Sequence, residues 1–173
     1  MSARMLAAAL LLTWATACGA SHGDKAAAES PLFAASAVFP GLDGRDVALA
    51  SYRGAPLIVN FWARWCVPCR AELPELAALQ AKYGARGLKV LGIALEDAAN
   101  ADKVREFLVA YEAANIPSLL AGGKGIDFIR ALGNEQALLP FTLVIGRDGE
   151  ILLRKIGRFE QRDFLAIKAK LLP

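Results

Sequence analysis

Histidine is almost missing from this chain: there is one in 173 residues, with three cysteines and two methionines. A closed zinc site takes four Cys or His ligands. The pair Cys66 and Cys69 would need partners, and only Cys18 and His22 remain, both close to the N-terminus. The ligand count therefore argues against a structural zinc site, and Met1 and Met5 fall in the leader, away from any site. Charge of one sign is missing too. Lys and Arg number 20 against 17 Asp and Glu, for a net charge of +3. The charges are mixed along the chain, which leaves no footprint for nucleic acid. Gly122-Gly123-Lys124-Gly125 lacks the spacing and the Lys-Ser/Thr ending of a phosphate-binding loop, so it reads as a turn. No internal repeat is visible.

What is present is a chain 55% hydrophobic, enough for one domain with a full core and a short appendage. Arg4 precedes the apolar stretch Met5 to Trp14, and Ala15-Thr16-Ala17-Cys18 closes it with small residues. Ten residues are too few to span a bilayer comfortably, where about 20 are needed. The segment reads as an export signal over residues 1–17, with a helical anchor extended through Ala17 as the alternative. Ala-Thr-Ala-Cys resembles a bacterial lipobox, with Ala15 where Leu is usual, which makes Cys18 a candidate lipidation site. Ordinary signal cleavage and pairing with another thiol are the other readings of Cys18. Residues 18–31 are rich in Ala, Ser, Gly and charge without periodicity and read as a flexible tether, His22 included. The folded domain is expected over 32–173, outside the cytoplasm and lipid-anchored to a membrane.

Within that domain, Leu42-Asp43-Gly44-Arg45 is a turn signal between short apolar stretches, predicting a β-hairpin in Phe33 to Ala50. Leu57 to Trp62 is nearly all apolar, as befits a central strand covered on both faces. A helix from about Cys66 to Tyr83 follows, with Pro74 inside it predicting a kink near Arg70 and Ala71. Further elements are a strand at Leu88 to Leu95, a helix at Ala101 to Ala114 and a short strand within Ile116 to Leu120. A helix at Ile126 to Leu132 comes next. Strands Phe141 to Ile145 and Ile151 to Ile156 are joined by Arg147-Asp148-Gly149-Glu150, and a last helix covers Phe159 to Leu172.

The chemistry-bearing motif is Trp65-Cys66-Val67-Pro68-Cys69, at the junction of a strand and a helix. Unpaired N–H groups at a helix start carry partial positive charge, which favours a thiolate over the reference thiol with pKa of about 8.5. Cys66 is thus the attacking sulfur. Cys69, one turn further in, is positioned to resolve a mixed disulfide formed at Cys66. Pro68 sits where a helix needs no N–H donor. The competing reading, an inert bridge, closes too short a loop to contribute much stability.

Asn60-Phe61-Trp62-Ala63-Arg64-Trp65-Cys66-Val67-Pro68-Cys69-Arg70-Ala71-Glu72-Leu73-Pro74, then Leu139-Pro140-Phe141-Thr142, Arg147-Asp148-Gly149 and Gly157, resemble the TlpA/ResA/DsbE-type thiol-disulfide oxidoreductases. The resemblance runs from about Phe33 to the C-terminus. It implies an α/β thioredoxin fold with an N-terminal β-hairpin and a central inserted βα-type segment, its mixed sheet flanked by helices. It further implies that the Leu139–Pro140 bond is cis, that Pro140 packs against the redox-active Cys66–Cys69 disulfide, and that Leu139 offers backbone to substrate. Asn60 stands where thioredoxins proper carry a buried aspartate. Glu72 resembles the glutamate of this group and is the candidate proton shuttle for Cys69; otherwise it simply decorates the first helical turn. Trp62, Trp65, Val67 and Pro68 are read as apolar support and docking surface, and Arg64 and Arg70 as thiolate-tuning or merely solvated charges.

The implied function is an exported reductase of protein disulfides, as in cytochrome c maturation in a bacterial periplasm. Its partners are client proteins and an upstream membrane electron donor, and the cycle needs no cofactor and no metal. Rival readings are a peroxiredoxin-type peroxide reductase, which would not need Cys69, and a copper-binding chaperone. Soft thiolates suit Cu(I), but no histidine lies in the domain to complete such a site. A binding module without thiol chemistry is the remaining alternative.

Overall fold

A computed structural model describes residues 30–34 and 36–172. The expected leader, Cys18, His22 and the tether before Ser30 lie outside the described residues. Pro31, placed at the end of the tether, already belongs to a 3-10 turn, Pro31–Phe33, with Leu32 and Phe33 buried. Strands β1 (Val38–Pro40) and β2 (Asp46–Ala48) form the antiparallel hairpin around Asp43-Gly44. The main sheet contains β3 (Leu57–Trp62), β4 (Lys89–Ala94), β5 (Ser118–Leu120), β6 (Phe141–Ile145) and β7 (Ile151–Ile156), in the order β5-β4-β3-β6-β7. β3 runs parallel to β4 and antiparallel to β6, so the sheet is mixed.

All six residues of β3 are buried, Asn60 included, as its nearly all-apolar run requires of a strand flanked by two others and covered on both faces. Alternation along the strand divides the core. Ile58 and Trp62 pack with α1 (Val67–Tyr83), α2 (Ala101–Ala110) and α4 (Gln161–Leu171). Leu57, Val59 and Phe61 pack with the hairpin and α3 (Lys124–Ala131) on the other face. Phe61 stacks on Phe141 of the neighbouring strand, and Trp62 stacks on Phe107 of α2, with ring centroids 5.7 and 5.5 Å apart.

Several helix ends differ from expectation. α2 stops at Ala110 rather than Ala114, because Glu112 adopts a left-handed φ of 54° and the Ala113 N–H turns back to the Leu108 carbonyl. α3 starts at Lys124, two residues early. α4 starts at Gln161 rather than Phe159: Glu160 and Asp163 form a reciprocal capping box, leaving Phe159 in the preceding loop. α1 continues through Pro74 to Tyr83. Among the described residues, no helix is long and apolar enough to cross a membrane.

Candidate active site

The motif lies where β3 ends and α1 begins. Cys66 is the N-cap of α1, with extended backbone, and its sulfur accepts the Cys69 N–H at 3.3 Å. Helical geometry brings residues three apart onto one side, and Cys66 and Cys69 are joined as a disulfide. Cys66 retains 5% exposure and Cys69 none, so only the first sulfur borders solvent. Trp65 and Val67 beside it are 67% and 68% exposed, and Pro68 is exposed as well. Trp62 is not part of this rim. It is fully buried, which corrects its expected share in the docking surface and leaves it the supporting role.

β6 brings in the second segment. The Leu139–Pro140 peptide is cis. One register step beyond the Phe61–Phe141 pair sets Pro140 opposite Trp62, at the sheet edge from which the cysteines leave. Pro140 is buried, and its carbonyl accepts the Gly157 N–H at 2.8 Å. Leu139 is half-buried, with no backbone hydrogen bond to another described residue.

Glu72 lies in the second turn of α1 and is completely buried, which overturns its reading as a decoration of the helix start. One carboxylate oxygen accepts from Asn60 Nδ2 at 2.7 Å, and the other accepts from the Phe159 N–H at 2.6 Å. Asn60 Nδ2 also donates to Thr142 Oγ1 at 3.0 Å, while Asn60 Oδ1 has no partner. Burial pushes the Glu72 carboxyl up to about 7, against the pull of these two donors and of Arg158. Arg158 itself pairs with Glu75.

Sequence reasoning missed Thr142, Phe159 and Glu96. Thr142 and Asn60 are register partners and the polar exceptions in two fully buried strands, a signal that was there to be read. The Phe159 contribution is a backbone N–H and leaves no trace in residue type. Glu96, only 7% exposed, pairs with Arg64 at 2.9 Å and accepts its N–H. Arg70 Nε donates to the Arg64 carbonyl. Both arginines thus brace the loop between β3 and α1, and the Arg64 charge is matched by Glu96. No cluster of three or more metal-ligating side chains exists among the described residues.

Chemically, a disulfide at a helix start with only its first sulfur reaching the surface can accept two electrons and return them by thiol exchange. A buried acid that titrates near neutrality can accept or release a proton at working pH. The chain matches the Redoxin family over residues 23–171. It is 28% identical over 146 residues to the thiol-disulfide oxidoreductase ResA of Bacillus thuringiensis subsp. konkukian, covering 84% of this chain and 78% of that one. The crystal structure of a thiol:disulfide interchange protein of the thioredoxin family from Chlorobium tepidum is 28% identical, with a TM-score of 0.65 over 79% of this chain and 92% of that one. A secreted Mycobacterium tuberculosis disulfide oxidoreductase homologous to E. coli DsbE shares the fold, with a TM-score of 0.62 at 23% identity over 80% and 96% of the two chains. With its thiol pair, its mixed sheet and these relatives, the chain belongs to the redoxin family, as a thioredoxin-fold thiol-disulfide oxidoreductase of the ResA/DsbE type.

Proposed function

We propose that this protein is an exported reductase of disulfides in client polypeptides, with Cys66 as nucleophile, Cys69 as resolving thiol and Glu72 as the proton acceptor for Cys69. The observation that carries this reading is the contrast between the two sulfurs: one borders solvent at the helix cap, and its partner is sealed beneath it. In the reduced protein, the Cys66 thiolate attacks a client disulfide and one client sulfur leaves as a thiol. Cys69 then gives its proton to Glu72 and attacks the Cys66 sulfur. The second client thiol is released and the Cys66–Cys69 bridge forms, so the client gains the two electrons the protein loses. An upstream thiol donor at the membrane returns the bridge to dithiol.

Trp65, Val67 and Pro68 form the apolar rim against which a client docks, and the free backbone of Leu139 beside Pro140 pairs with it in an extended conformation. Residues 1–17 act as an export signal, Cys18 carries the lipid, the residues from there to Ser30 tether it, and the fold begins with the Pro31–Phe33 turn. The secreted mycobacterial relative favours a location outside the cytoplasm. Cytochrome c maturation is the process this chemistry fits, with apocytochrome disulfides as clients. The test is to express Cys69→Ala in its native cell and identify what is attached to Cys66. Apocytochromes held in mixed disulfides are the expected catch, and a variant that captures no polypeptide contradicts the assignment.

A further inference from the structure

Asn60 and Thr142 meet the Glu72 carboxyl in a pocket that admits no solvent, with the three residues at most 1% exposed. The hydrogen bonds drawn there suit an ionised carboxylate: Asn60 Nδ2 donates to Glu72 Oε1 and to Thr142 Oγ1, and Phe159 donates to Glu72 Oε2. Asn60 Oδ1 is left with no donor. Once Glu72 takes up a proton on Oε1, the same arrangement sets an O–H against an N–H, with no acceptor between them. Turning the amide by half a rotation removes that conflict. Oδ1 then accepts from the Glu72 O–H and from the Thr142 hydroxyl, which can donate as readily as it accepts. Nδ2 then takes the place of Oδ1 as the amide end without a partner.

We propose that Asn60 is a positioning residue whose amide turns over with the charge on Glu72, with the Thr142 hydroxyl exchanging acceptor for donor, so that Glu72 stays hydrogen-bonded in both protonation states. A buried aspartate at position 60 would add a second negative charge beside Glu72, whereas an amide adapts without one. The inference rests on the proposed role of Glu72 for its catalytic meaning, but the turnover itself needs only the cluster. The remaining groups facing Glu72 are accounted for. Arg158, in the loop before α4, favours its anion, and Glu75 on α1 opposes it. Lys155, the register partner of Thr142 on β7, pairs with Asp163.

The test is an NMR pH titration of the full-length oxidised protein, following the side-chain amide and carbonyl signals of Asn60 and the carboxyl carbon of Glu72. The expected result is one shared midpoint, with the Asn60 carbonyl moving in the direction of a new hydrogen bond as pH falls, and loss of that movement in Glu72→Gln. In Asn60→Leu the Glu72 midpoint rises by about one pH unit or more, as a buried carboxylate losing its donor requires. Thr142→Val is the milder variant, expected to broaden the Asn60 amide signals as the amide loses its orienting partner. An Asn60 carbonyl that stays flat while Glu72 titrates overturns the proposal. Because thiols take no part in this titration, a protein that shows the shared midpoint yet fails to reduce clients disproves only the functional reading.

Discussion

A carboxyl group closed off between two strands and a loop is a poor anion, and Glu72 shows how far the surroundings compensate. Its two donors and Arg158 recover part of what desolvation takes away, and the balance leaves it titrating at about 7 against an ordinary 4.5. Between those values the folded protein binds more protons than the unfolded chain, so stability falls as pH rises through the window and levels off above it. The shift corresponds to about 3 kcal/mol. Glu72→Gln is therefore expected to gain stability relative to wild type between pH 4.5 and 8, by roughly that amount. Urea denaturation of the oxidised proteins at the two pH values measures it, and parallel pH dependences contradict it. The same substitution should slow the resolving step at neutral pH by about a hundredfold, in the range of lost general acid-base help. Mixed disulfide is then expected to accumulate in stopped-flow assays with a bridged polypeptide. In the reduced protein Cys66 should be alkylated by iodoacetamide well before Cys69, as expected of a helix-cap sulfur at the surface above a sealed partner, and equal rates at the two thiols would contradict that order.

At the scale of elements, strands and turns were legible and the polar core was not. β3, β6 and β7 fall on the expected residues because apolar runs and Asp-Gly turns are local signals. Gly149 supplies the positive φ of 85° that the β6–β7 hairpin turn needs. The end of α2 and the start of α4 differ from expectation, since apolar spacing continues past the left-handed turn at Glu112 and reaches back across the Glu160–Asp163 capping box. The cysteine pair was legible as a motif, and the cis bond only through the family resemblance. The cradle of Glu72 was not, because three separate elements assemble it and one contributes only an amide. β4 offers a sharper test of packing. A Cβ on Gly92 would lie 2.8 Å from Ser118 Oγ and 3.0 Å from Trp62 Nε1, both short or rigid neighbours. Gly92→Ala is expected to destabilise the protein by about 1–3 kcal/mol through overpacking. Thermal denaturation checks it, and an unchanged midpoint would show that the strand yields freely.

Over the described residues, large apolar side chains are exposed at several separate places, Val109, Ile156 and Leu165 among them, and the reactive bridge has its own. Trp65 and Val67 rise beside the disulfide, and Leu138, 47% exposed, precedes the cis bond. Isolated exposed apolar residues need no explanation, but ones that flank a reactive bridge fit a surface for unfolded chains. Trp65→Ser should raise KM about tenfold for a polypeptide disulfide, the effect of losing one aromatic anchor. The rate with a small dithiol, which has no chain to dock, should stay within about twofold, and equal loss on both substrates would place Trp65 in the chemistry instead.

The loop that follows β7 ties the last part of the chain to the site. Gly157 holds Pro140, Arg158 grips Glu75 on α1, and the next amide completes the bonding of Glu72. A growing chain halted at Ile156 would already own both sulfurs and the whole motif around them. It would lack the Phe159 N–H that Glu72 accepts and the Gly157 N–H that holds the Pro140 carbonyl, so the buried acid would keep only its Asn60 donor.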